Sequence, residues 1–153
     1  MSSRLFQNIR EKRGLAYSVF SGINAYRDAG SLTVYAGCAN EAVGEVIDLT
    51  VEELKGIKQS PVPESELRRA KDHLKGSLML SLESTSSRMN RVAKQELRFG
   101  SFFSLDEMLG AIDGVQPPEV EALISRILDE QQLSLLTLGP IDRRNLPREL
   151  LNS

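Results

Sequence analysis

An α+β fold, with helices packed on one face of a mainly antiparallel sheet, is what this 153-residue sequence predicts. Three observations carry that expectation. Two strand-like runs, residues 15–26 and 30–39, are separated by Asp28-Ala29-Gly30, which supplies turn chemistry. From Asn40 onward the apolar residues recur at steps of three and four, broken at prolines, glycines and serines. A last apolar run, residues 132–138, is rich in leucine and ends at Gly139-Pro140. The order is therefore helix, hairpin, several helices, strand.

The first element covers residues 3–14. Ser3 stands as an N-cap, and Leu5, Phe6 and Ile9 form an apolar stripe. Gly14 can take the left-handed conformation that ends a helix, and Lys12 and Arg13 suit the negative end of its dipole. In the first strand Tyr17, Val19, Ser21 and Ile23 share a face under strict alternation. In the second, Leu32, Val34, Ala36 and Cys38 alternate with Thr33, Tyr35 and Gly37. An antiparallel hairpin joins the two.

Asn40 reads as the N-cap of an amphipathic helix reaching about Lys58, which the prolines at 61 and 63 break. A long helix follows from Pro63 or Ser65, with Leu67, Ala70, Leu74, Leu78 and Leu82 expected to face a core. Gly76 inside it costs about 1 kcal/mol against alanine, which suggests a close helix contact. Ser84 to Ser87 mark a helix end and a new N-cap rather than a phosphate site, since no glycine-rich loop precedes them. Residues 88–99 are helical, with Met89, Val92, Ala93 and Leu97 on one side and Gly100 as the stop. Ser104 caps a short helix that ends at Asp113-Gly114. Pro117 and Pro118 open another. The run 132–138 reads as a buried strand, and the polar tail after Asp142 as loosely held.

Composition narrows the function classes. A net charge of −2 gives no basic surface for nucleic acid. No apolar run approaches the roughly 20 residues that span a bilayer, and the N-terminus lacks a signal-peptide pattern. Cys38 is the lone cysteine, placed in an apolar strand pattern as an inert buried thiol. His73 is the lone histidine and has no companions of metal-ligand type and spacing, so it reads as a helix-surface residue. Glu66, Glu83 and Glu96 are separated glutamates without histidine partners. Arg88, Asn90 and Arg91 read as a solvated helix face.

One corner of the chain has chemical character. Arg10 lies in the last turn before Gly14, and Tyr17 at the start of the first strand. A fixed cation and a phenol on a rigid corner suit a polar, extended ligand. Taken without further context, an arginine paired to Glu11 or Asp28 and a half-buried strand tyrosine are the simpler reading.

The motifs here change that balance. Ser3-Arg4-Leu5-Phe6, Ile9-Arg10-Glu11 and Gly14-Leu15-Ala16-Tyr17-Ser18-Val19 are followed by Leu74-Lys75-Gly76-Ser77 and Leu82-Glu83-Ser84-Thr85-Ser86-Ser87-Arg88-Met89. Together, and in this order, they resemble the C-terminal half-domain of the pitrilysin/insulinase-type zinc metallopeptidases, in the bacterial processing-protease and mitochondrial-processing-peptidase branch. The resemblance runs from residue 2 to about Gly139. It implies that Arg10 donates to substrate backbone carbonyls, that Tyr17 donates to the scissile carbonyl oxygen, and that Arg4 lines the chamber. It also implies that residues 1–140 form the non-zinc, substrate-binding half-domain without its first strand and helix, and residues 141–153 a tail. The family's zinc motif, His-Xaa-Xaa-Glu-His with a distant glutamate, needs two histidines. This chain therefore carries no cofactor of its own, and the zinc belongs to a partner half or subunit.

The implied protein is a zinc-dependent processing-type endopeptidase acting on peptides or unfolded presequences, bacterial and cytoplasmic or periplasmic, of which this chain alone is inactive. Its partners are the zinc-bearing half and the peptide substrate. An unpaired sheet edge further predicts self-association of the fragment. Two alternatives stand beside it. One is a catalytically silent homologue serving assembly, like the core subunits of respiratory complexes. The other is a plain dimerisation module.

Overall fold

The computed structural model describes residues 3–128, 133–141 and 146. The fold is α+β. A π-helical turn, Phe6–Glu11, leads into strands β1, Ala16–Ala25, and β2, Gly30–Cys38. A 3-10 turn, Asn40–Ala42, precedes α1, Val43–Gln59. Then come α2, Glu64–Ser81; α3, Thr85–Phe99; α4, Leu105–Gly114; and α5, Pro117–Ile127. The chain divides into two compact units, residues 1–60 with 124–153, and residues 61–123.

The first unit holds the apolar core. Ile9, Ala16, Val19, Val46 and Leu49 bury one another, with Leu5, Phe6, Leu15, Ala36 and Cys38 packed around them. Ile9 is fully buried, which contributes about 1.5–3 kcal/mol of apolar transfer. β1 and β2 pair antiparallel around a turn in which the Tyr26 amide donates to Ala29 O at 2.8 Å. Across the pair, Phe20 stacks on Tyr35 with ring centroids 4.9 Å apart. The Cys38 thiol is half-buried, and burial pushes its pKa up, which keeps it protonated.

The second unit is helical and is tied by polar contacts. Asp113 near the end of α4 accepts from two lysines of α2. Lys75 bonds its carboxylate at 2.7 Å and Lys71 its main-chain oxygen at 2.8 Å. Ser84 caps α3 by accepting from the Ser87 amide, and Gly100 ends that helix at φ 63°. Ser104 and Glu107 form a reciprocal capping box at α4.

Several expectations give way here. Strict alternation in β1 fails, because Ala16 pairs with Cys38 and Ser18 with Gly37, leaving Tyr17 as the extra residue of a β-bulge. Val19 thereby joins Ala16 on the buried side, and Tyr17 leaves Val19's face. Asn40 does not cap α1; it begins the 3-10 turn, and no side chain caps either helix start there. The stripes of α2 and α3 do not reach a core: Leu74, Met89, Val92 and Leu97 are all exposed. Gly76 has open space where a side chain would lie, so no close helix contact explains it. Residues 133–138 pair with no strand among the described residues, and Leu136 and Leu138 are 95% and 100% exposed. Gln132 and most of the tail lie outside the described residues; of the tail, Leu146 is buried.

Candidate functional site

The corner at residues 3–17 is built by three local devices. Ser3 Oγ accepts from the Phe6 amide at 3.2 Å and starts the first helical turn. The turn then widens, with the Lys12 amide bonding Gln7 O, five residues back, at 2.9 Å. Gly14, at φ 64°, reverses the chain, and the Leu15 amide reaches back to Ile9 O at 3.0 Å. Only glycine adopts that conformation without a steric penalty. β1 begins two residues later.

This corner is anchored on both sides of its two candidate residues. Ile9, beside Arg10, and Ala16, beside Tyr17, are both in the core. Asn8 Nδ2 donates to Glu53 of α1, Lys12 Nζ donates to Asn8 Oδ1 at 2.8 Å, and Arg13 pairs with Glu45 of α1 at 3.2 Å. The last is half-exposed and worth little by itself. The backbone under Arg10 and Tyr17 is therefore held while their side chains are exposed.

Arg10 is exposed and its guanidinium carbon lies 5.0 Å from the centre of the Phe6 ring. A cation over an aromatic face is attracted to it, and here the contact orients the fork while leaving its N–H groups open. Neither Glu11 nor Asp28 pairs with it in the described contacts, so the simpler sequence reading does not hold for Arg10. Tyr17 is 77% exposed, turned outward by the bulge. Bulges next to functional sites re-aim side chains in this way. Arg4 lies in the opening helical turn, partly buried.

The remaining candidates are structural. His73 is exposed on α2, its Nδ1 3.0 Å from Ser77 Oγ. Among the described residues no three His, Cys, Asp or Glu side chains stand together as a metal site. Arg91 is not on a solvated face: its Nη2 donates to Phe103 O at 2.9 Å. Gln95, the buried polar residue that sequence reasoning missed, brackets the same loop. Its amide nitrogen donates to Phe103 O at 3.4 Å and its oxygen accepts from the Phe103 amide at 3.3 Å. Arg91 and Gln95 are one helical turn apart on α3, ahead of the helix stop at Gly100, and that spacing was the available signal.

Sequence comparison decides the family. Residues 1–74 match the family described as the peptidase M16 inactive domain. An uncharacterized zinc protease of Mycobacterium tuberculosis is 40% identical over 151 residues, covering 98% of this chain and 34% of that protein. The chain belongs to the peptidase M16 inactive-domain family. The solved inactive domain of an M16 peptidase from Pseudomonas fluorescens shares the fold, at TM-score 0.72 and 22% identity, over 83% of this chain and 30% of that one. A chain of complex III2 from Candida albicans does so too, at TM-score 0.72 and 23% identity, over 82% and 30%. This M16 chain spans about a third of the length of the relatives it matches. It is thus related to the non-catalytic half of the M16 zinc proteases. Its donor set does not fit a zinc ion among the described residues.

Proposed function

We propose that this chain is the substrate-binding half of a zinc-dependent processing-type endopeptidase, acting on peptides or unfolded presequences held in extended form. The observation that carries the reading is the pairing of an exposed Arg10 and an exposed, bulge-borne Tyr17 on one anchored corner. Arg10 presents planar N–H donors to substrate backbone carbonyls. Tyr17 O–H donates to the carbonyl oxygen of the scissile bond, where negative charge develops. Zinc, in this reading, is held by another part of the whole protease or by a partner subunit, and Arg4 lines the space that substrate enters.

In the whole protease, Arg10→Ala should raise KM and lower kcat together, since carbonyls are held in ground and transition states alike. Arg10→Lys should recover only part of the loss, because an ammonium lacks the planar fork. An assembly subunit without turnover in the whole protein, or an Arg10→Ala variant with parental kinetics at parental stability, would defeat the proposal. Phe6→Leu offers a finer check. Without the ring, the Arg10 guanidinium loses its seat, and KM should rise less than in Arg10→Ala.

A further inference from the structure

β1 turns one face to the core and the other outward. Ala16 and Val19 are buried, and both residues between them, Tyr17 and Ser18, are exposed, because the bulge inserts one residue there. Alternation resumes after Val19, so Phe20 shares the outer face with Tyr17. Across the ladder Ser18 pairs with Gly37, and Phe20 with Tyr35. Ala36 and Cys38 pack on the core, which sets Tyr35 and Gly37 outward as well. The outer face therefore carries Tyr17 and, a few residues on, a pair of aromatic rings.

The two rings form a shelf. Their centroids are 4.9 Å apart and their planes 24° apart. A Cβ on Gly37 would stand 3.5 Å from Tyr35 Oη and 3.8 Å from its Cε1, so the Tyr35 ring lies along β2 over Gly37, on the side of Tyr17. A cross-strand aromatic pair steadies a hairpin, but stacking covers only one face of each ring. Phe20 and Tyr35 stay 57% and 51% exposed. The next rungs of the same face are Gly22–Thr33 and Asn24–Ser31, small or polar, and Asn24 Nδ2 donates to Ser31 Oγ at 3.3 Å. The apolar surface is thus confined to one rung near Tyr17. That is the size of a single side chain, not of a protein interface.

We propose that Phe20 and Tyr35 form a specificity subsite that takes one aromatic side chain of an extended peptide whose scissile carbonyl lies at Tyr17. The inference rests on the proposed function for that last placement and adds the class of substrate. A strand rises about 3.3 Å per residue, so Phe20 stands about 10 Å along β1 from Tyr17, the length of about three residues of an extended peptide. The side chain read on the shelf is therefore about three residues from the bond that is cut. An aromatic ring meets such a pair offset or edge-on, and the Tyr35 hydroxyl gives the shelf a polar rim. A cationic side chain is also drawn to a ring face. Neither β1 nor β2 contains a carboxylate to answer it, however, and Arg10 stands at the same corner. The chemistry favours an aromatic side chain over a basic one.

Equilibrium binding of fluorescein-labelled peptides to the whole protein tests it, followed by anisotropy with a chelator present so that nothing is cut. Three peptides share a sequence of serine and threonine and carry Phe, Ala or Lys at every third position, which covers each register. The Phe peptide should bind about tenfold more tightly than the Ala peptide. In Tyr35→Thr, whose β-branched side chain suits a strand, that ratio should fall to about twofold or less. Phe20→Thr gives the same reading from the other side of the pair. Each ratio is taken on one protein sample, so a smaller folded fraction does not alter it. Equal affinity for the Phe and Ala peptides, or a ratio that survives both substitutions, would overturn the proposal. So would tighter binding of the Lys peptide than of the Phe peptide. Tyr17→Phe should keep the ratio while it lowers the cleavage rate without chelator, so the subsite and the catalytic reading fail separately.

Discussion

The unit made of residues 1–60 and 124–153 and the unit made of residues 61–123 are held together by different forces. The first has a core of five buried apolar residues that meet from the π-turn, β1 and α1. In the second, the one buried residue among those described is a glutamine, Gln95. Its helices are joined by lysine–aspartate contacts, a loop bracket and helix caps, while Leu74, Met89, Val92, Leu97 and Phe99 stay exposed. The lesson is one of placement. Arg10 and Tyr17 stand on the unit with the apolar core, where a close-packed interior resists small displacements. A 1 Å shift in a positioned group can cost a hundredfold in rate.

The comparison can be broken most forcefully at Ile9. Ile9→Ala empties a fully buried site and should cost about 2–5 kcal/mol. Leu97→Ala, at an exposed site of α3, should stay within about 0.5 kcal/mol. Urea denaturation of both variants measures the difference, and comparable losses would mean that the two units are stabilised alike.

Gln95 sharpens the contrast from the other side. Gln95→Leu keeps the bulk and removes both contacts to Phe103, leaving that residue's amide unanswered while Arg91 still donates to its carbonyl. About 1–3 kcal/mol should be lost. Hydrogen exchange should place the loosening in residues 99–104, with the hairpin unaffected.

The smallest effects lie at the cap of α4. Ser104→Ala should cost about 1 kcal/mol, since it removes the hydroxyl that accepts from the Glu107 amide. The Ser104 amide and hydroxyl both donate to Glu107, which holds its carboxyl below the usual carboxylate range. A folded-state pKa that is depressed adds stability above the unfolded value and loses it as pH falls through the folded one. Lys75 has the opposite sign: the hydrogen bond to Asp113 raises its pKa, so its contribution is complete below the ordinary lysine value and fades as pH rises through the folded one. A thermal-melt series across pH should show the acid-side loss shrinking in Ser104→Ala and the alkaline-side loss shrinking in Lys75→Met.

Much of this was readable from residues alone. Gly14 and Gly100 do end helices in the left-handed conformation, the Asp28–Gly30 turn does make an antiparallel hairpin, and Ser84 and Ser104 do cap. These features are local, decided by a few neighbouring residues. The misses are those that depend on distant partners. Period 2 cannot reveal that Tyr17 is the extra residue of a bulge, because the offset arises from pairing with Cys38 and Gly37. A leucine stripe on α2 states a capacity for burial, and whether anything covers Leu74 is decided elsewhere in the fold. The apolar run at 133–138 has the composition of a buried strand, and a strand needs a neighbour to bond. Arg91 looked like a solvated cation because its acceptor, Phe103 O, belongs to a loop twelve residues on.

The central claim is that the bulge delivers the Tyr17 hydroxyl to the oxygen on which charge develops. Tyr17→Phe keeps the ring and the strand and removes only the donor. The decisive measurement is single-turnover cleavage by the whole protease carrying this change, with Tm taken on the same sample. The account predicts an unchanged Tm, little change in substrate affinity and a rate lowered about 10²–10³-fold. A variant that melts normally and cleaves at the parental rate would contradict it.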